Sequence, residues 1–278
     1  MRGRYIVLKS FNNNVILCKS IEEEKECILI GKGIGFNKKK NDSFNDVDLI
    51  EKVFYIADDA NRNKLKGLYG VIDNKIIGAT EEVIAMAHNF LNREMDEKIH
   101  TTLLDHIAFA IERYNNGIDI KNPFFTEIKS LYREEYLAAE KALQIINDRI
   151  GIELPNDEIG FIAMHFHVAL NRQDISKTTY NTEIINSVVK YVEEKEGTTI
   201  DKDSYDYARF VIHIRFALDR IYKNIPINNI LIDSIREKFT KSFSIALDVG
   251  EKIKEEYGIE LPIDEIGYLA IHIEKIFS

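Results

Sequence analysis

A fifteen-residue segment occurs twice in this chain, GIELPNDEIGFIAMH at residues 151–165 and GIELPIDEIGYLAIH at residues 258–272, and eleven of the fifteen positions are identical. The same offset of 107 residues carries HIAFAIER, beginning at His106, onto HIRFALDR, beginning at His213, with no insertion between. A period of this length exceeds the roughly 20 to 50 residues of solenoid repeats and has the size of a small domain. The chain therefore carries tandem duplicated domains, and each copy delivers two histidines at one shared spacing.

Each copy can be given a local structure. Pro155 and Pro262 stand where a helix begins, because a proline in the first turn loses no intrahelical hydrogen bond. Asp157, Glu158, Asp264 and Glu265 then place negative charge beside the helix N-terminus. Ile159, Ile162, Ala163 and Phe166 recur at helical spacing as a core-facing stripe, and His165 falls beside it. In the other repeated helix Leu103, His106, Phe109, Ala110 and Arg113 lie near one face, as do His213, Phe216, Ala217 and Arg220. Each domain thus places one histidine on each of two amphipathic helices.

An imidazole near neutral pH is a nucleophile that can accept a phosphoryl group, titrate or bind a metal. A single helical histidine is ordinarily a hydrogen-bonded structural residue, and duplication alone can repeat a residue without function. Two histidines repeated at matched spacing are harder to assign to structure alone. His88, His100 and His167 have no counterpart in the other copy and read as structural. A metal site is a competing reading, but no HExxH or di-iron ExxH constellation accompanies the four. No metal, cofactor or catalytic residue is assigned.

With 278 residues the chain can form two or three small domains, each burying a modest core. The net charge of -9 hides an asymmetry, since residues 1–55 hold ten Lys or Arg against eight Asp or Glu. The acidic remainder excludes unspecific binding to nucleic acid, whereas the mildly basic start allows it locally. Cys18 and Cys27 sit in apolar strand-like runs without framework spacing, which suits a reducing cytoplasm. No signal-peptide run follows Arg2 and Arg4, and no stretch approaches the roughly 18 apolar residues of a membrane span, so a cytoplasmic protein without membrane insertion is expected.

Residues 1–56 read as β structure. Residues 5–9, 15–19, 26–30 and 51–56 are strand-like, with a tight turn at Asn12, Asn13 and Asn14 and a charged hairpin tip at residues 22–26. Four short strands make one small antiparallel sheet with an exposed face, for which homodimerisation is the natural cover. GKGIGFNKKK at residues 31–40 holds the chemistry. Its glycines let backbone approach a ligand, Phe36 offers a stacking ring, and Lys32, Lys38, Lys39 and Lys40 offer phosphate contacts. Basic groups interleaved with an aromatic point to RNA more than to duplex DNA. A glycine-rich bend without function remains open, while a dinucleotide loop would need a helix that this run does not begin.

FNNNVI followed by IGKGIGF, KKK and IEKVF resembles the co-antiterminator RNA-binding domain of the BglG/SacY/LicT transcriptional antiterminators. The DH at residues 105–106, which is IH at residues 212–213 of the second copy, and the duplicated LPxDEIGxxAxH segments resemble that family's two phosphotransferase-system regulation domains, in the expected order and over essentially the whole chain. The resemblance implies a non-enzymatic RNA-binding homodimer that stabilises an antiterminator hairpin in a nascent leader transcript of sugar-utilisation genes. It implies RNA contacts at Lys9, Asn14, Gly31, Lys32 and Phe36, with Lys32 where relatives often carry arginine, and further phosphate contacts from Arg2 and Arg4. Phosphorylation is implied at His106, His165, His213 and His272, with the phosphocarrier HPr and a sugar-specific enzyme II as donors. A DNA-binding activator with such regulation domains is the alternative, but no helix-turn-helix precedes them here.

The fold class expected is α+β: a dimeric four-stranded RNA-binding domain at 1–56, a polar linker at 57–66, and two all-α regulation domains at 67–171 and 172–278, each of five helices by the family's pattern. Within the first, a helical pattern starts at Thr80 with Thr80 and Glu81 as capping material, and one long helix follows Asn122 and Pro123 as far as residue 150. The second copy starts after the polar stretch at residues 171–177.

Overall fold

A computed structural model describes residues 5–278, so Arg2 and Arg4 lie outside the described residues. The N-terminal module is an antiparallel sheet of β1 (Tyr5–Ser10), β2 (Val15–Ser20), β3 (Glu26–Ile30), β4 (Ser43–Phe44) and β5 (Lys52–Tyr55), in the order β4-β1-β2-β3-β5. The four expected strands are present, and β4 is an addition. Two residues are too few to show a period; β4 is held by pairing with β1, helped by Val7 N–H donating to Asp42 O at 2.9 Å and Asn41 N–H to Val7 O at 2.8 Å.

Register explains how the sheet is covered. Leu17 stands opposite Ile28 and Cys18 opposite Cys27, and successive side chains point to opposite faces. Val15, Leu17, Ile28 and Ile30 therefore join Phe11 on one face, which packs on Leu65, Tyr69, Ile77, Ala85 and Leu104. Ile16, Cys18, Cys27 and Leu29 share the other face with Val7, Ile34 and Phe44. The expectation of an uncovered face fails because helices that follow in the chain supply the missing apolar surface. Burial keeps the two cysteines as free thiols of raised pKa, Cys27 at about 12.

The segment read as a linker is helical from Asp59 onward. α1 (Asp59–Val71) is capped by Asp58, whose side chain accepts from Asn61 N–H at 2.6 Å, and it buries Leu65 and Tyr69 under the sheet. α2 (Asn74–Leu91) begins six residues before the expected start because Asp73, not Thr80, is its cap. Thr80 and Glu81 are buried inside this helix, with Tyr69 Oη donating to Glu81 at 3.4 Å and His100 bonded to it at 2.7 Å. After α3 (Ile99–Asn115), the expected long helix is two, α4 (Phe125–Leu131) and α5 (Arg133–Ile150), broken at Tyr132, whose φ of -129° and ψ of 51° are not helical.

The remaining helices are α6 (Asp157–Asn171), α7 (Ile175–Glu196), α8 (Tyr205–Tyr222), α9 (Ile232–Lys238), α10 (Thr240–Tyr257) and α11 (Ile263–Phe277). The helices α2 to α6 recur, 107 residues on, as α7 to α11. The chain divides into two compact units, one of residues up to Pro123 with Glu134–Gln173, the other of Phe124–Arg133 with Asp174–Ser278. The helix α4 thus belongs to the second unit, where Glu127, 1% exposed, accepts from Tyr207 Oη at 2.9 Å. Its counterpart α9 has Ser234 at the equivalent position and packs on α10 and α11.

Candidate nucleic-acid interface and paired histidines

The asparagines between β1 and β2 build a turn through their own side chains. Asn12 Oδ1 accepts from Asn14 N–H at 2.8 Å, the local bond that makes Asn a turn former. Asn14 then ties this turn to the glycine loop, its Oδ1 accepting from Gly33 N–H at 3.1 Å and its carbonyl from Gly31 N–H at 3.0 Å. The glycines serve backbone approaching backbone. A Cβ on Gly31 would stand 1.8 Å from Leu49 O, and one on Gly35 would stand 2.1 Å from Asn12 O.

This loop presents Lys32 to solvent and leaves the Phe36 ring 62% exposed. A benzyl side chain held uncovered on a rigid, glycine-built loop is available to stack. Asn14, Gly31, Lys32 and Phe36 are brought onto one turn-and-loop surface. Lys9 is engaged elsewhere: its ammonium donates to Tyr69 O at 2.8 Å and lies 5.5 Å from the Phe11 ring centre. Lys38 pairs with Asp46 at 3.7 Å, while Lys39 and Lys40 are exposed.

The four repeated histidines form two pairs, each within one unit. The rings of His106 (α3) and His165 (α6) are 4.9 Å apart, and those of His213 (α8) and His272 (α11) are 4.7 Å apart. Equivalent contacts place each pair. Asp157 accepts from Asn122 N–H at 2.6 Å and Asp264 from Asn229 N–H at 2.8 Å, which anchors the start of α6 and of α11. Phe161 and Tyr268 flank His106 and His213 at 5.7 and 6.1 Å.

The contact between a carboxylate and each pair escaped the sequence reading, which placed Glu158 and Glu265 only as negative charge beside a helix N-terminus. Both are 1% exposed and reach the histidines. His106 Nε2 lies 2.8 Å from Glu158; as donor to the carboxylate, that nitrogen leaves Nδ1 with the free lone pair. The second pair differs. Arg220 Nε and Nη2 donate to both oxygens of Glu265 at 2.7 and 2.9 Å, and His213 Nε2 stands 3.6 Å off, without a hydrogen bond among the described residues. The equivalent Arg113 donates instead to Asp119 O at 3.0 Å. Desolvation and the neighbouring His106 lower the pKa of buried His165 to about 3. Burial, His272 and Arg220 do the same for His213, also to about 3, and burial lowers His272. Imidazoles paired across two helices are suited to accept a phosphoryl group.

The other histidines are structural partners. His167 bonds Glu135 at 2.9 Å, and the equivalent positions Ser242 and Glu274 hold the same helix-to-helix bond at 2.6 Å with the donor and acceptor chemistry changed. His100 bonds Glu81, and His88 lies about 3 Å from Lys52 Nζ.

Comparison with known proteins matches the CAT RNA binding domain over residues 5–63 and the PRD domain twice, over residues 81–169 and 186–276. The chain belongs to the LicT and GlcT family of transcription antiterminators. It is 32% identical to "Transcription antiterminator LicT" of Bacillus subtilis (strain 168), over 97% of this chain and 98% of that one. It is 33% identical to the "GlcA/glcB genes antiterminator" of Staphylococcus carnosus (strain TM300), over 98% and 95%, and 31% identical to the "Beta-glucoside operon antiterminator" of Dickeya chrysanthemi, over 98% and 96%. Among solved structures, "Crystal structure of GlcT CAT-PRDI" superposes with a TM-score of 0.51 at 43% identity, covering 60% of this chain and 98% of that one. In an antiterminator of this family the turn-and-loop surface falls in the CAT match, and one histidine pair falls in each PRD match. No helix among the described residues is long and apolar enough to cross a membrane.

Proposed function

We propose that this chain binds a hairpin in nascent leader mRNA of sugar-utilisation genes, prevents the terminator from forming, and acts in the cytoplasm as a homodimer without enzymatic activity. The observation that carries the reading is the exposed Phe36 on the loop that also carries Lys32 and is tied to the turn at Asn14, inside the match to the CAT RNA binding domain. Every base has a face that can stack on such a ring, and Lys32 supplies charge toward phosphate. Lys9, bound to Tyr69 O, contributes by holding β1 against α1 and has to leave that acceptor before it can touch RNA.

Control is assigned to the histidine pairs. Phosphorylated HPr or a phosphorylated sugar-specific enzyme II gives its phosphoryl group to an imidazole nitrogen, one N–P bond forming as the bond from phosphorus to the donor residue breaks. His106 and His272 are half-buried whereas His165 is buried, so His106 is the first acceptor in its pair. Filter binding of the full chain to leader hairpin RNA, with duplex DNA as competitor, tests the RNA reading; equal affinity for both nucleic acids would refute it. Incubation with phosphorylated HPr or enzyme II, followed by mass spectrometry of the histidine peptides, tests the control.

A further inference from the structure

One carboxylate in the first unit reaches the asparagine turn from outside the sheet. Through Oε1, Glu82 on α2 accepts from Asn12 Nδ2 at 2.8 Å and from Asn14 Nδ2 at 3.3 Å. Through Oε2 it accepts from Arg149 Nε and Nη2 on α5 at 2.9 and 2.8 Å. The Glu82 side chain is only 11% exposed, although its partners lie at the rim of an open cleft. The helix is pressed against the turn, since a Cβ on Gly78, one helical turn before Glu82, would stand 2.3 Å from Asn12 Nδ2. Asn14, Gly31 and Lys32 line one side of a cleft of about 550 Å³, and Glu82, Asn89 and Arg149 line the other.

We propose that Glu82 is a clasp that competes with RNA for the turn. The inference rests on reading Asn14, Lys32 and Phe36 as the RNA surface. A phosphodiester approaching Asn14 and Lys32 meets a fixed negative charge there, and like charges at this range repel strongly where water is partly excluded. The Asn14 amide is already committed to that charge, and Arg149, which lines the same cleft, holds the carboxylate in place through both of its donated hydrogen bonds. Binding therefore requires α2 and α5 to withdraw from the turn. Both helices lie within the unit that carries the His106–His165 pair, so a change at that pair can favour or oppose withdrawal.

The test measures hairpin RNA affinity of the full chain at one salt concentration. In Glu82→Ala/Arg149→Ala one negative and one positive charge are removed, leaving net charge unchanged, so a gain in affinity cannot come from overall electrostatics. The clasp predicts about tenfold tighter binding, the scale of a hydrogen bond to a charged group. Gly78→Ala, which displaces Asn12 from Glu82 without altering any charge and favours the helix, is read the same way and stands in if the double variant fails to fold. Unchanged or weaker binding in the folded variant overturns the clasp and makes Glu82 a support of the turn. Phe36→Ala separates the two readings: if it weakens binding while the clasp variants do nothing, only the clasp falls, and if no variant or wild-type chain binds hairpin RNA, the RNA reading falls with it.

Discussion

At the scale of single residues, side chains with no packing role and side chains held by burial should respond in opposite ways. Phe36 is uncovered, so Phe36→Ala is expected to leave the melting temperature unchanged and to lose about 1 to 3 kcal/mol of hairpin affinity in filter binding. His165 and His213 have the reverse character. Their folded pKa of about 3 lies below the ordinary 6.5, so the unfolded chain binds protons that the folded chain excludes. Their contribution is complete above about pH 6.5 and declines as pH falls toward 3, by up to about 1.4 kcal/mol per pH unit for each ring. Urea midpoints between pH 7 and 5 should show this decline, and His165→Gln should reduce its slope; an unaltered slope would mean that the ring is not held neutral. Among the described residues His213 Nε2 has no hydrogen bond, and the Glu265 carboxylate 3.6 Å from it is held by Arg220.

Among the elements, α1 shows how a polar run can be part of a core. ADDANRNKLK reads as a connector because its apolar positions are few, yet Leu65 and Tyr69 are buried against the sheet and Asp58 caps the helix. Leu65→Ala should therefore cost about 2 to 5 kcal/mol in chemical denaturation, the cost of a core truncation, whereas a connector leucine would cost within about 0.5 kcal/mol. The same packing bears on the sheet alone. A fragment ending at residue 56 lacks the cover of Leu65, Tyr69, Ile77, Ala85 and Leu104 over Phe11, Val15, Leu17, Ile28 and Ile30. It is expected to self-associate in sedimentation, and a well-folded monomer of that fragment would show that the helices are dispensable.

For the whole molecule, the expected consequence is that the two copies respond to added negative charge with opposite sign. A negative group at His106 or His165 adds to Glu158, whose Arg113 counterpart is turned away to Asp119. A negative group at His213 arrives beside Arg220, a guanidinium already in place, and one at His272 arrives near Lys275 and Arg209. In a reporter strain His106→Asp or His165→Asp should lower readthrough, and His213→Asp or His272→Asp should raise it. The same response from both copies would show that they are not opposed. Moving such an equilibrium from 1:99 to 99:1 takes about 5.5 kcal/mol, more than one new ion pair provides, so the proposed control is expected to need several charge changes acting together, and single Asp variants should shift readthrough only partly.

What the sequence by itself determined is whatever repeats or alternates. An offset of 107 residues exposed the duplication and the two repeated histidines of each copy, short runs of β-branched and aromatic residues located four of the five described strands, and the asparagines and glycines marked the turn and loop that come together as one surface. Residue type and spacing carry this information because they act within a few neighbours along the chain. Only the tertiary structure decided where the carboxylates go. Glu158 and Glu265 read alike as charge at a helix start and Glu82 carries no distinguishing pattern, yet Glu82 reaches Asn12 and Asn14, Glu158 reaches His106, and Glu265 is taken by Arg220. Their partners are 45 to 70 residues away along the chain, on elements whose approach no local pattern specifies. The same holds for α4 and α9, equal in length and position within their copies but packed in different surroundings, because Glu127 finds Tyr207 while Ser234 has no carboxylate to offer. Burial of a charge is settled by the partner it meets, and that partner is known only once the helices are packed.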